Sequence, residues 1–227
     1  STAALVDRVY ADHGRANLVF LNAGVTSGGG GLPWQQEPND WRWCFGVNVI
    51  GVGIGTSAFV PPMIESGEPG QIILTSSGDG GIAPVPTASV YAASKAAVSC
   101  FAEALQHNLI KEQTALRASV FYPSGGLLDT GLYSAARNRP AELARVGPGT
   151  GRGSMTFEEL VSRVAAATGK QPAIADLDEL AEFVVDCAER RQFIISKGLD
   201  DKAALLHRRA DAIGRGELPE PYGVKLS

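Results

Sequence analysis

Three segments of the chain repeat one design. NLVFLNAG (17–24), QIILTSSG (71–78) and ASVFYPSGG (118–126) each carry a short apolar, β-branched or aromatic run that ends in small polar residues and glycine. Runs this short, apolar on both faces and separated by helical stretches, predict buried strands of a parallel sheet. RQFIIS (191–196) follows a helical pattern and predicts a fourth strand. The alternation of strand and helix implies an α/β fold: a doubly wound parallel sheet of about four strands with right-handed crossovers.

The intervening stretches read as helices. STAALVDRVYADHG is amphipathic and stops at Gly14, and the long stretch from Asn39 and Asp40 to residue 67 carries glycines and Pro61–Pro62 that predict kinks. SVYAASKAAVSCFAEALQHNLIKEQ places Val90, Ala97, Phe101, Leu105 and Leu109 at helical intervals. TFEELVSRVAAATG, DLDELAEFVVDCAERR and DKAALLHRRADAI supply three more helices.

With 227 residues, 44% of them hydrophobic, the chain suffices for one sizeable core, so residues 1–227 are expected to form a single domain. A net charge of −4 without a basic block argues against a nucleic-acid partner. Cys44, Cys100 and Cys187 lie far apart in apolar or helical stretches, which predicts buried reduced thiols and a cytoplasmic setting. The apolar stretch VNVIGVGIGTSAFVPPMI contains Asn48 and two prolines, which argues against a membrane span. No His-Glu-x-x-His or Cys-x-x-Cys occurs, so no metal is expected, and no Gly-x-Ser-x-Gly elbow supports a serine hydrolase.

SVYAASK (89–95) sets Tyr91 and Lys95 one helical turn apart on the same face. A cation held beside a phenol favours phenolate and lowers the tyrosine pKa, which suits a general acid/base. Open parallel sheets bind ligands beyond the carboxyl ends of their strands, where Asn22, Ser77 and Pro123 fall.

Together these residues resemble the short-chain dehydrogenase/reductase family, from the first helix through residue 198. Asn22-Ala23-Gly24 resembles the family's Asn-Ala-Gly signature, Asn48 its catalytic-helix asparagine, Ser77 its serine, and Tyr91 with Lys95 its Tyr-x-x-x-Lys. Pro123 and Thr130 resemble the proline and threonine around the nicotinamide, although Thr130 follows Pro123 by seven positions instead of five. The resemblance implies a Rossmann-like fold and NAD or NADP as cofactor. It implies hydride transfer between an alcohol and a ketone or aldehyde, with Tyr91 as general acid/base. Lys95 would lower the Tyr91 pKa and bind the nicotinamide ribose, Ser77 would bind the substrate oxygen, and Asn48 would interrupt its helix and hold a water leading to Lys95. Ser76 rivals Ser77, which is chosen as the second of the pair. The stretch from Ser77 to Tyr91 is one residue longer than usual and implies a small bulge within 78–89.

The family's Thr-Gly-x-x-x-Gly-x-Gly, which cradles the pyrophosphate, occurs nowhere in the chain. A full member has two further strand and helix crossovers before Asn22, so the adenosine half of the cofactor site is expected outside these residues. GDGGIA (78–83), SGGGG (27–31), GVGIG (51–55) and GPGTGRG (147–153) lack the strand-to-helix context required to replace it. Residues 131–172 correspond to the family's substrate lid, where Leu132, Tyr133, Leu143, Val161 and Val164 could line a pocket or pack the lid. A homodimer or homotetramer is expected, built on the helices of Asn48 and Tyr91. The alternative is a noncatalytic truncated module that acts by association.

Overall fold

Helix α1 (Thr2–His13) opens on Ser1, whose hydroxyl accepts from Ala4 N, and stops where Gly14 turns left-handed (φ 73°) and returns its N–H to Tyr10 O. The computed structural model describes residues 1–27, 32–147 and 155–222. Most of SGGGG and of GPGTGRG therefore lies outside the described residues.

The four expected strands form one sheet in the order β1 (Leu18–Leu21), β2 (Gly70–Thr75), β3 (Leu116–Phe121) and β4 (Ile194–Ile195), all parallel. Strand β2 is covered on both faces, and Ile72, Ile73 and Leu74 are wholly buried. Ile72 and Leu74 join Val19, Ala118 and Val120 beneath α1, α3 (Gly51–Glu65) and α5 (Ser89–Lys111). Ile73, Phe121 and Ile195 point the other way, against Leu180, Val184 and Cys187 of α7 (Leu177–Glu189). The period of two along each strand thus feeds two cores, as the doubly wound arrangement requires. On edge strand β1, Leu18 and Phe20 remain 46% and 44% exposed.

The expected long helix begins one residue before Asn39. Pro38 takes the first helical position of α2 (Pro38–Phe45), and Asp40, inside the first turn, accepts from Glu37 N at 2.9 Å. A π-helical turn, Gly46–Ile50, separates α2 from α3, while Pro61 and Pro62 are carried within α3. By length and composition Pro38–Glu65 could cross a membrane, yet it holds the fully buried Asp40 and Asn48 and lays Val52, Phe59 and Met63 against the sheet.

Two sequence expectations change. Phe101 is 37% exposed, because the inner face of α5 is carried by Tyr91, Lys95, Val98 and Ala102. Cys100, on the same outer side, is exposed; Cys44 and Cys187 are buried, and all three are free thiols. Beyond β3 the chain turns irregularly to Gly147, resumes in α6 (Phe157–Thr168), and ends in α8 (Leu199–Gly214) and a tail.

Candidate active site

The carboxyl ends of β1 and β2 and the first turns of α5 converge. Strand β1 delivers Asn22, Ala23 and Gly24; β2 delivers Thr75, Ser76 and Ser77; α5 delivers Tyr91 and Lys95. Burial sets α5 in place: Tyr91 is 8% exposed and Lys95 only 3%.

Lys95 Nζ donates to Thr75 O at 2.8 Å and lies 5.7 Å from the Tyr91 ring centroid. Thr75 Oγ1 donates in turn to Asn22 Oδ1 at 2.7 Å. The Ser77 hydroxyl stands near the Tyr91 phenol and acts to lower its pKa. Ser76, the rival serine, is directed elsewhere: its hydroxyl donates to Lys95 O at 2.7 Å and lies 2.8 Å from Ser99 Oγ, so it braces α5.

Asn48 occupies the π-helical turn and is fully buried. Its Oδ1 accepts from Val25 N at 2.8 Å, and its Nδ2 donates to Val25 O at 3.0 Å and to Ser94 Oγ at 2.9 Å. The helix is interrupted as expected, but the amide is spent on the backbone that follows Gly24. A water relay at this turn would have to use main-chain groups.

Burial pushes the Tyr91 phenol above its ordinary range, with the Ser77 hydroxyl opposing. It pushes Lys95 down to about 8 and the Cys44 thiol up to about 11. The expected lowering of Tyr91 by Lys95 does not emerge: desolvation sets the direction, and the ammonium is turned towards Thr75 O.

The extra length between Ser77 and Tyr91 is taken up by an irregular turn, α4 (Gly78–Gly81). Gly80 has φ +99°, and a Cβ there would stand 1.9 Å from Ala92 O, so only glycine fits. Ser77 Oγ accepts from Asp79 N at 3.2 Å, which fixes the serine at the mouth of the turn.

Of the candidate lid residues, Leu132 packs with Cys44, Val90 and Tyr91, and Tyr133 lies close enough for its phenol to raise that of Tyr91. Leu143 packs instead against Val25, Trp43 and Ala135, while Val161 and Val164 are half-buried on α6. Pro123 is half-buried just after β3; Thr130 is exposed, and its hydroxyl accepts from Leu132 N at 3.4 Å. Sequence reasoning missed Asp79 and Tyr222. Asp79 is the one charged residue between Ser77 and Tyr91, a signal available in the sequence.

The nicotinamide-ribose end of a dinucleotide fits these residues. Lys95 spends one of its three donors on Thr75 O, leaving two for hydroxyl groups. Gly24 keeps the approach open, since a Cβ there would meet Lys95 Nζ at 3.3 Å and Asn48 Oδ1 at 3.6 Å.

Residues 1–140 match the sequence profile of the family described as short chain dehydrogenase. The chain belongs to that family. It is 36% identical over 147 residues to the C alpha-dehydrogenase of Sphingobium sp., and 31% identical over 200 residues to the oxidoreductase SadH of Mycobacterium tuberculosis. Those alignments take in 64% and 88% of the chain, which spans only 46% and 64% of the lengths of these relatives. Among solved structures, a short chain dehydrogenase/reductase from Burkholderia phymatum in complex with NAD superposes with a TM-score of 0.80 at 30% identity, over 100% of this chain and 75% of that one. The apo form of LigD from Sphingobium sp. superposes with a TM-score of 0.63 at 25% identity, over 96% and 72% of the two chains.

Proposed function

We propose that the chain is the catalytic portion of an NAD- or NADP-dependent oxidoreductase that interconverts an alcohol and a ketone or aldehyde, with Tyr91 as general acid/base. The observation that carries this reading is the Lys95 ammonium held 5.7 Å from the Tyr91 ring centroid, with Ser77 near the phenol, at the carboxyl ends of a parallel sheet.

Lys95, Asn22 and the open backbone at Gly24 would hold the nicotinamide ribose, with Pro123 and Thr130 contributing from the segment after β3. A nicotinamide bound there supplies or accepts the hydride. In the reducing direction, Tyr91 gives its proton to the carbonyl oxygen while Ser77 donates a hydrogen bond to the same atom and stabilises its growing negative charge. Burial keeps the phenol protonated, so the resting site is set as a proton donor. In the oxidising direction, Tyr91 takes the alcohol proton, and the Lys95 charge stabilises the phenolate more strongly as solvent leaves. Asn48 acts at one remove, through the Val25 backbone.

The exposed apolar residues Ile50 and Ile54 on the helix of Asn48, and Phe101 on that of Tyr91, support a homodimer or homotetramer built on these helices.

Turnover of the complete protein with NADH and NADPH, followed at the nicotinamide absorbance, tests this reading. Tyr91→Phe should lower kcat by about a hundredfold or more while cofactor affinity is kept. Undiminished turnover in that variant would remove Tyr91 from the mechanism.

A further inference from the structure

The turn after Ser77 holds a carboxylate for which the proton-transfer chemistry has no use. Asp79 is half-buried, and burial alone raises its pKa. Among the described residues it has no Lys, Arg or His partner. Its neighbours are phenols: its charge reaches those of Tyr91, Tyr133 and Tyr222.

The setting is built from distant parts of the chain. Tyr222 N donates to Pro84 O at 2.9 Å, and a side chain at Gly78 would meet the Tyr222 ring at Cζ and Oη, each at 2.6 Å. The tail that brings Tyr222 there is clasped to α8: Arg208 Nε pairs with Glu220 Oε2 at 2.9 Å, and Arg209 donates to Glu220 O. Tyr133 arrives from the segment after β3. Asp79 N donates to the hydroxyl of Ser77 at 3.2 Å, which holds Asp79 in the turn next to that serine.

A half-buried carboxylate with no cation is an unmet acceptor, and a ligand that donates to it recovers part of its desolvation cost. Aromatic residues near it favour a cation or a polar group on an aryl or alkyl frame. We propose that Asp79, walled by Tyr133 and Tyr222, sets substrate specificity by binding a hydroxyl or protonated amino group that the substrate alcohol carries next to its reacting carbon. The inference deepens the oxidoreductase reading and rests on it for the position of the reacting carbon.

The test uses the complete protein with three probes of one frame: α-methylbenzyl alcohol, phenylethylene glycol and phenylethanolamine. The wild type should favour the glycol or the amino alcohol over the simple alcohol by about ten- to a hundredfold in kcat/KM, the range of a hydrogen bond to a charged group. Asp79→Ala should bring that ratio close to one, with the loss falling on the donor-bearing substrates and expressed mainly in KM. Asp79→Asn distinguishes the two donors, since it retains a preference for the glycol but not for the ammonium. Calorimetric binding of the three probes to the Tyr91→Phe protein should give the same order without turnover. A wild-type ratio near one, a ratio unchanged in Asp79→Ala, or an equal fall for all three probes would overturn the proposal. Full turnover in Tyr91→Phe would instead count against the acid/base reading, and the binding order would still decide the role of Asp79.

Discussion

Asn48 grips Val25 by both of its backbone groups, accepting from the N–H at 2.8 Å and donating to the carbonyl at 3.0 Å. The grip ties the π-helical turn to the loop that follows Asn22-Ala23-Gly24, so the geometry of both is set by one amide. Asn48→Ala leaves the buried Val25 N–H unpaired and its carbonyl with only the weak Cys44 thiol donor, at a cost of about 1–3 kcal/mol in urea unfolding. In that variant the Val25 amide should also exchange its hydrogen faster than in the wild type. Asn48→Asp keeps the acceptor but loses the donor, and should not rescue stability.

On the proposed function the two adjacent serines have separate roles. Ser77→Ala removes a hydrogen bond at the substrate oxygen and should lower kcat by about a hundredfold with little change in melting temperature. Ser76→Ala removes a buried hydroxyl that braces Lys95 O and Ser99, so its effect should appear as about 1–2 kcal/mol of stability. The opposite pattern in paired kinetic and unfolding measurements would exchange their roles.

Asp40 is wholly buried and anchors the segment after β3: Arg139 Nη1 lies 2.8 Å from its Oδ1, and Arg145 pairs with its other oxygen. Asp40→Ala strands the barely exposed Arg139 guanidinium and leaves Arg145 with Glu37 alone, and should cost about 3–5 kcal/mol. The exposed helical pair of Arg8 and Asp12 provides the contrast, since Asp12→Ala should cost less than about 0.5 kcal/mol. Urea melts of both variants measure the difference.

Much of this site could be read from the sequence because its signals are local. The apolar runs ending in Asn22, Ser77 and Pro123 mark strands by their own composition, and Tyr91 and Lys95 are joined by helix periodicity. Features that depend on distant contacts were hidden. Asn48 meets Val25 across 23 positions, and Tyr222 reaches Gly78 only because α8 clasps the tail. Asp79 sits within GDGGIA, which as a sequence poses the question of a phosphate loop and not of a substrate contact. The direction of the Tyr91 shift also required burial to be known, since pairing with Lys95 and desolvation push the phenol in opposite senses.

Lys95 is where burial should be most visible as a function of pH. Its pKa falls from an ordinary 10.5 to about 8 in the folded chain, so below pH 8 both folded and unfolded states carry the proton and folding bears the whole cost of burying the charge. Between about 8 and 10.5 the unfolded chain holds a proton that the folded chain has released, and the stability contributed by this site rises with pH. The interval corresponds to about 3 kcal/mol, less about 1 kcal/mol for the hydrogen bond to Thr75 O that a methionine could not make. Lys95→Met should therefore be more stable than the wild type by about 2 kcal/mol at pH 7, with the gain close to zero at pH 10, while its turnover is lost. Urea unfolding of both proteins at the two pH values measures this, and an equal gain at both would mean that Lys95 does not fold as a buried cation.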